Sequence, residues 1–207
     1  DVAVIGGGIA GIMTAYYLAK SGKSVALLEK DFLLSGETGN TTAFLTEIFD
    51  SGLHEVRKIF GKKVAKKTWE AGRLAVNEIE RIARVEKIDC DFMRVPAYIF
   101  ASDKQGFQSL RREYDLAQEM GFTHVEISET KNPSFKNYGY LKVENQAKFN
   151  ARKFLIPLAK KAAAAGVKIF EKTEVLSCFG KNPTKVITSG GTVTAKSVVV
   201  CTNAPNE

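Results

Sequence analysis

Gly6, Gly8 and Gly11 stand in the spacing G-x-G-x-x-G, within the run Gly6-Gly7-Gly8-Ile9-Ala10-Gly11. Glycines at these intervals suit one task above others. The first permits a tight turn, the second lets main chain approach a diphosphate, and the third allows a helix to pack closely on a strand. The free N–H groups at the start of that helix then point at the anion. Glu29, 18 positions beyond Gly11, supplies the complementary feature. A carboxylate at the end of a second strand accepts hydrogen bonds from both hydroxyls of an adenosine ribose and repels a 2′-phosphate. Together these residues predict a dinucleotide site. They suit a nicotinamide or a flavin dinucleotide equally well.

The flanking pattern is what such a site needs. Val2 to Ile5 is an unbroken apolar run, as in a parallel strand buried on both faces. Ile9, Ile12, Met13, Tyr16 and Tyr17 fall on one helical stripe, Ser21-Gly22 ends it, and Val25 to Leu28 reads as the second strand. The segment Ser35 to Thr42 is a loop of glycines and hydroxyls. Residues 43–48 are then expected to open a helix capped by Asn40 or Thr41, a second place where hydroxyls and amides converge on an anion.

Leu53 to Glu86 keeps three- and four-residue apolar steps and predicts one long helix, with Trp69 as a packing residue. Val95 to Ala101 alternates as a strand. Asp103 is placed to cap a helix carrying Phe107, Leu110, Tyr114, Ala117 and Met120 and stopped by Gly121. Strands are expected at Phe122 to Ile127 and Tyr138 to Val143, with a turn at Lys131-Asn132-Pro133-Ser134. Asn150 to Ala165 reads as a helix interrupted at Pro157, where the missing N–H costs about 3 kcal/mol and predicts a kink. A short strand at Val167 to Phe170 follows. Glu174 to Phe179, Lys185 to Thr188 and Thr192 to Thr194 then form an antiparallel meander, and Ser197 to Cys201 is a last apolar strand. The fold class is α/β, with a Rossmann-like domain of parallel sheet and β-meander and an inserted, partial α+β domain. Residues 1–50 and 146–207 are assigned to the first, and 51–145 to a helical linker and the second.

The 207 residues carry 30 basic and 23 acidic side chains, a net charge of +7. That balance raises the question of nucleic acid. Lys62, Lys63, Lys66 and Lys67 instead recur as one wet helical face, as do Lys160 and Lys161, and no aromatic residues interleave with them as base-stacking platforms require. No apolar stretch approaches a membrane span, and nothing resembles a cleavable signal. The three cysteines, Cys90, Cys178 and Cys201, include no C-x-x-C pair, and there are two histidines, so no metal site is expected. Free cysteines read as small core residues in a reducing, cytoplasmic setting. Asp1 enters the first strand without an initiator methionine, which points to a longer polypeptide.

The order of these elements resembles the D-amino-acid-oxidase-like family of FAD-dependent oxidoreductases. D-V-A-V-I-G-G-G-I-A-G, ending at Leu28-Glu29-Lys30, is similar to that family's FAD fingerprint. T-G-N-T-T-A-F-L-T is similar to its second glycine- and hydroxyl-rich stretch, K-I-F-E-K-T-E-V-L-S to the strand whose valine meets adenine, and V-V-V-C-T-N-A-P to the strand and turn that close over the cofactor. I-D-C-D-F resembles members in which the oxidoreductase domain precedes a Rieske iron–sulfur domain.

The resemblance implies FAD held by Gly6, Gly8, Ile9, Ala10 and Gly11 at the pyrophosphate and by Glu29 at the ribose, with Lys30 beside the adenosine. Thr41 and Thr42 would serve the phosphate and ribityl region, Val175 the adenine, and Cys201 and Thr202 the closing turn. Positions 38–46 hold neither histidine nor cysteine, so the cofactor is expected to be non-covalent. The implied reaction is oxidation of the C–N bond of a small amine or amino acid by hydride transfer to flavin. Oxygen or a linked redox domain would be the acceptor, and neither nucleic acid nor a membrane would be a partner. Substrate-gripping residues are expected mostly beyond position 207, so no catalytic residue is assigned; Tyr98 and Arg94 read as structural. A nicotinamide-dependent dehydrogenase and a non-catalytic or RNA-modifying accessory module are the competing readings.

Overall fold

A computed structural model of the protein describes residues 1–130 and 136–203. The chain begins with β1 (Val2–Ile5), α1 (Ile9–Lys20) and β2 (Val25–Leu28), passes a 3-10 turn at Glu37–Asn40, and enters β3 (Phe44–Leu45). Next come α2 (Gly52–Phe60), α3 (Lys62–Val85), β4 (Met93–Ala101), α4 (Lys104–Glu119), β5 (Val125–Ser128) and β6 (Gly139–Lys148). α5 (Ala151–Ala164), β7 (Lys168–Phe170), β8 (Val175–Phe179), β9 (Thr184–Thr188), β10 (Gly191–Ala195) and β11 (Ser197–Val200) complete the order. These elements form two units. Residues 1–42, 86–90 and 150–207 make the first, and residues 43–85 and 91–149 the second.

The first unit is built on a parallel sheet in the order β11-β1-β2-β7. Val4 and Leu27 of the sheet are buried; α1 packs against α5, and Ile12 and Ala15 of α1 and Phe154, Leu155 and Leu158 of α5 are buried. Ala3, Ile5 and Leu28 form a second core with Val186 and Ala195 of the β10-β9-β8 meander. Strand residues buried on both faces account for the continuous apolar runs. α5 is capped by Asn150, whose side chain accepts from Lys153 N–H at 3.0 Å. Pro157 lies inside this helix, which runs unbroken from Ala151 to Ala164. Phe154, Leu155 and Leu158 are fully buried, and at about 2 kcal/mol each their burial outweighs the lost backbone bond.

Glu86 is the main ionic anchor of this unit. Its carboxylate accepts from the Tyr16 hydroxyl at 2.5 Å and pairs with Lys20 at 3.0 Å and Lys161 at 3.3 Å, tying residues 86–90 to α1 and α5. The Tyr16 hydrogen bond, followed by the lysines, holds the Glu86 carboxyl down to about 2. Burial, and then the same carboxylate, push the Tyr16 phenol up.

The second unit is an antiparallel sheet, β3-β6-β4 with β5 also on β6, packed against α4 and α3. Its core gathers Leu53, Trp69, Phe107, Leu116, Met120, Phe122, Leu141 and Val143. Trp69 lies edge-on to Phe122 with ring centroids 4.9 Å apart, a packing role as expected. Asp103 caps α4, accepting from Gly106 N–H at 2.7 Å. Pro96 coincides with a register shift in β4, where its missing N–H takes no ladder bond. Glu47 is fully buried, its carboxylate accepting from Arg73 Nε at 3.0 Å and meeting His124, while its own N–H donates to Gln146 at 2.8 Å.

Three local expectations are corrected here. The helix over Leu53 to Glu86 is two helices, because Gly61 takes φ +82°, outside the helical region. Residues 43–48 open no helix; Phe44–Leu45 form a short strand paired with β6, preceded by Ala43 at φ +61°. Cys178 is exposed on β8, Cys201 is half-buried, and only Cys90 is fully buried. The expected turn at Lys131-Asn132-Pro133-Ser134 lies outside the described residues. Lys62, Lys63, Lys66 and Lys67 are all exposed, as a solvated face requires.

Candidate functional site

β1 delivers the chain to Gly6 at the carboxyl end of the parallel sheet, where open α/β sheets leave a crevice. Gly6 N–H donates to Leu28 O at 2.8 Å and Cys201 N–H to Ile5 O at 2.7 Å, so the ends of β1, β2 and β11 are fastened side by side. Gly6 has φ +109°, and a Cβ there would sit 2.8 Å from Cys201 O. A Cβ on Gly11 would lie 1.8 Å from Gly6 O. The turn and the helix behind it therefore tolerate no side chain at either position.

Above this turn is a cavity of about 620 Å³. Gly6, Gly8, Ile9, Ala10, Glu29, Lys30, Val175, Cys201 and Thr202 all line it. Residues almost 200 positions apart in sequence are thus brought to one wall. Gly11 lies beneath the lining rather than in it, and Thr41 and Thr42 are outside it. The second hydroxyl-rich stretch contributes through Ser35, Gly36, Glu37 and Thr38 instead. Gly7, Leu34, Thr173, Glu174 and Asn203 also line the space. The first threonine of T-G-N-T-T was the available signal for Thr38.

Glu29 sits at the rim with both oxygens oriented. Oε2 accepts from Gly7 N–H at 2.5 Å and Oε1 from Asp31 N–H at 2.9 Å. Its main chain is held on the other side, N–H to Phe170 O at 2.9 Å and O from Thr173 N–H at 2.8 Å. Asp31 pairs with Lys172, which lowers the Asp31 carboxyl and locks the two loops together beside the cavity. Glu171 adds a bond from Leu33 N–H at 2.6 Å. On the helix side, Ile9 N–H donates to Thr38 Oγ1 at 3.2 Å. The Cys201 thiol lies 3.9 Å from the Thr14 hydroxyl, turned toward α1.

The residues present fit an adenine dinucleotide. The glycine positions leave main chain bare where a diphosphate must approach, and α1 starts there with amides that have no intrahelical partner. Thr202 Oγ1 is buried in the lining and has no hydrogen-bond partner among the described residues. Such a buried hydroxyl is unfavourable unless a ligand or water completes it. Among the described residues no cluster of histidine, cysteine or carboxylate groups is arranged for a metal ion.

Tyr98 and Arg94 belong to the second unit and do not line the cavity. Arg94 is engaged by Glu80, by Asn77 at 2.7 Å and by Asn145 O at 2.6 Å, and Tyr98 packs on Phe100 and Tyr140. Among the described residues, no helix is long and apolar enough to cross a membrane.

Residues 1–205 match the family described as FAD dependent oxidoreductase. The YhfW protein of Bacillus subtilis, whose name gives it as a Rieske 2Fe-2S iron-sulfur protein, is 31% identical over 206 residues, covering 99% of this chain and 40% of that protein. Gamma-glutamylputrescine oxidoreductase of Escherichia coli is 25% identical over 213 residues, covering 99% of this chain and 49% of that one. The chain thus spans less than half the length of these curated relatives. Among solved structures, glycine oxidase from Geobacillus kaustophilus superposes with a TM-score of 0.77 at 23% identity, over 98% of this chain and 55% of that one, a likeness of fold.

Proposed function

The chain belongs to the FAD-dependent oxidoreductase family, and on that premise we propose that its first unit holds FAD non-covalently in the cavity above Gly6 to Gly11. The bare glycine turn with the Glu29 carboxylate fixed at its rim carries this reading. Main-chain amides at Gly8 to Ala10 face the diphosphate with Gly11 behind them, Glu29 accepts from the ribose hydroxyls, and Lys30 and Val175 flank the adenosine. Cys201 and Thr202 close the far wall, with the Thr202 hydroxyl gaining the partner it lacks. Thr41 and Thr42 stay as candidates for the ribityl region only through a rearrangement of residues 38–42.

The whole protein oxidises the C–N bond of a small amine or amino acid, in this reading. When bound, FAD supplies the acceptor for the hydride leaving the substrate carbon, and the imine product is hydrolysed by water. The chain's own contribution is to bind and orient the cofactor and to keep bulk water from its diphosphate. The second unit is assigned to part of the substrate-facing domain. The name of the Bacillus subtilis relative supports a linked iron–sulfur domain as electron acceptor, with oxygen as the other choice. The three free cysteines support a reducing, cytoplasmic setting.

The cofactor assignment is tested by adding FAD to the purified chain and recording the absorption spectrum after gel filtration. Retained flavin bands are the expected result, and a colourless protein would refute it. The reaction class is tested on the whole protein by anaerobic bleaching of the flavin. Primary or secondary amines should bleach it, whereas bleaching by 2-hydroxy acids alone would contradict C–N oxidation.

A further inference from the structure

Ile59, Phe60 and Val64 fall within six positions of one another, and the core of the second unit uses none of them. Ile59 is 66% exposed and Phe60 63%, and Val64 is exposed as well. Single apolar side chains on a surface are ordinary, but several gathered at one corner mark a contact surface. That corner is the join of α2 and α3, where Gly61 alone separates the helices. Gly61 N–H donates to Arg57 O at 2.8 Å, and Gly61 O accepts from Ala65 N–H at 3.1 Å, so both helices hold the join. The core takes Leu53 from α2 and Ala65 and Trp69 from α3, leaving the tip outside.

The charge around this tip is largely of one sign. Residues 56–69 carry six basic side chains, Arg57, Lys58, Lys62, Lys63, Lys66 and Lys67, and no acidic one. Arg57 and Lys62 share the Glu119 carboxylate of α4, at 3.0 Å and 2.6 Å. Lys58 meets Glu55 at 3.7 Å, and Lys66 meets Glu70 at 4.0 Å. Three carboxylates therefore answer six cations. Lys63 and Lys67, one turn apart on α3, have no ion pair among the described residues. Bare apolar groups beside surplus positive charge complement a surface that is apolar within and anionic at its face, as a bilayer of acidic lipids is. Contact of this kind needs no spanning helix.

We propose that the α2–α3 corner docks the protein on an anionic lipid surface, with Ile59 and Phe60 entering the headgroup layer and Lys63 and Lys67 facing lipid phosphates. The tip is already fixed by its two helices, so insertion costs little ordering. The contact is independent of the cofactor reading, because no residue of the corner lines the cavity.

The test is co-sedimentation of the whole protein with vesicles of phosphatidylcholine alone or of phosphatidylcholine mixed with phosphatidylglycerol. The wild type is compared with the double substitutions Ile59→Ser with Phe60→Ser and Lys63→Gln with Lys67→Gln. All four side chains are exposed, so both variants should keep the fold, as read by circular dichroism. The wild type should sediment with the mixed vesicles and not with the neutral ones, and salt at about 0.5 M should release it. Loss of the two apolar groups should weaken binding at least about tenfold, and loss of the two lysines about 25-fold. A wild type that stays in the supernatant with the mixed vesicles would overturn the proposal, as would equal binding to both vesicle types. Binding that neither double substitution weakens would place the lipid contact on another face and overturn it too. Self-association of the wild type that Ile59→Ser with Phe60→Ser abolishes, without vesicle binding, would assign the corner to a second copy of the chain instead.

Discussion

Glu29 is the residue on which the site can be tested most directly. Its oxygens are oriented by Gly7 N–H and Asp31 N–H before any ligand arrives, so little ordering is left for binding to accomplish. Glu29→Ala should weaken FAD binding by about 10- to 100-fold, the loss of charge-assisted bonds to the ribose, as read by equilibrium dialysis. Gly11→Ala is a harsher change. Its Cβ would fall 1.8 Å from Gly6 O, a collision between backbone and side chain that only separation of α1 from β1 relieves. Loss of soluble, folded protein by circular dichroism is the expected result. Gly11 was legible in the sequence because a close approach of helix and strand restricts its position to glycine, and Glu29 because an acid at the end of the second strand completes the same pattern. Thr38 was not singled out. Three threonines within five residues give the same local signal, and only the fold shows that Thr38 is the one at the cavity.

At the level of elements, alternation and helical periodicity carried the reading wherever one face is buried. β1, β2, the meander and the Asp103-capped helix follow from pattern alone. The misread elements share a cause. Gly61 and Ala43 break periodicity through backbone angles, and an apolar run such as Ala43-Phe44-Leu45 supports a strand or a helix until a partner, here β6, decides. The anchoring of residues 86–90 to α1 and α5 came through a single carboxylate that no motif marks. Because the Glu86 carboxyl is lowered to about 2 in the fold, its contribution is fully present above the ordinary carboxylate range and is lost as pH falls through about 2. Glu86→Gln should cost about 1–2 kcal/mol at neutral pH, the exposed lysines adding little. The difference from wild type in urea melts should shrink between pH 5 and pH 2, and a gap that stays constant with pH would contradict this.

For the whole molecule, every residue lining the cavity belongs to the first unit. Saturating FAD at 100 times its dissociation constant adds about 2.7 kcal/mol to the folded state. By hydrogen exchange that gain should appear as protection in residues 1–42 and 173–203. An equal rise throughout the Trp69 core would place the ligand elsewhere. Fold class was open to sequence reading because strand, helix and glycine turn agree with one another over the first 29 residues. The interleaving of the two units was harder to read, since residues 86–90 carry no compositional mark that separates them from the helix before them.

β1 has two neighbours in the sheet, β2 close behind it and β11 from Ser197–Val200. During synthesis the opening strand must therefore wait, flanked on one side only, until nearly two hundred further residues have left the ribosome. Loop closure of that span is slow compared with local pairing. Among the described residues of the cradle, the wall formed by Cys201, Thr202 and Asn203 is the last to emerge, and nascent chains should not acquire flavin before it does.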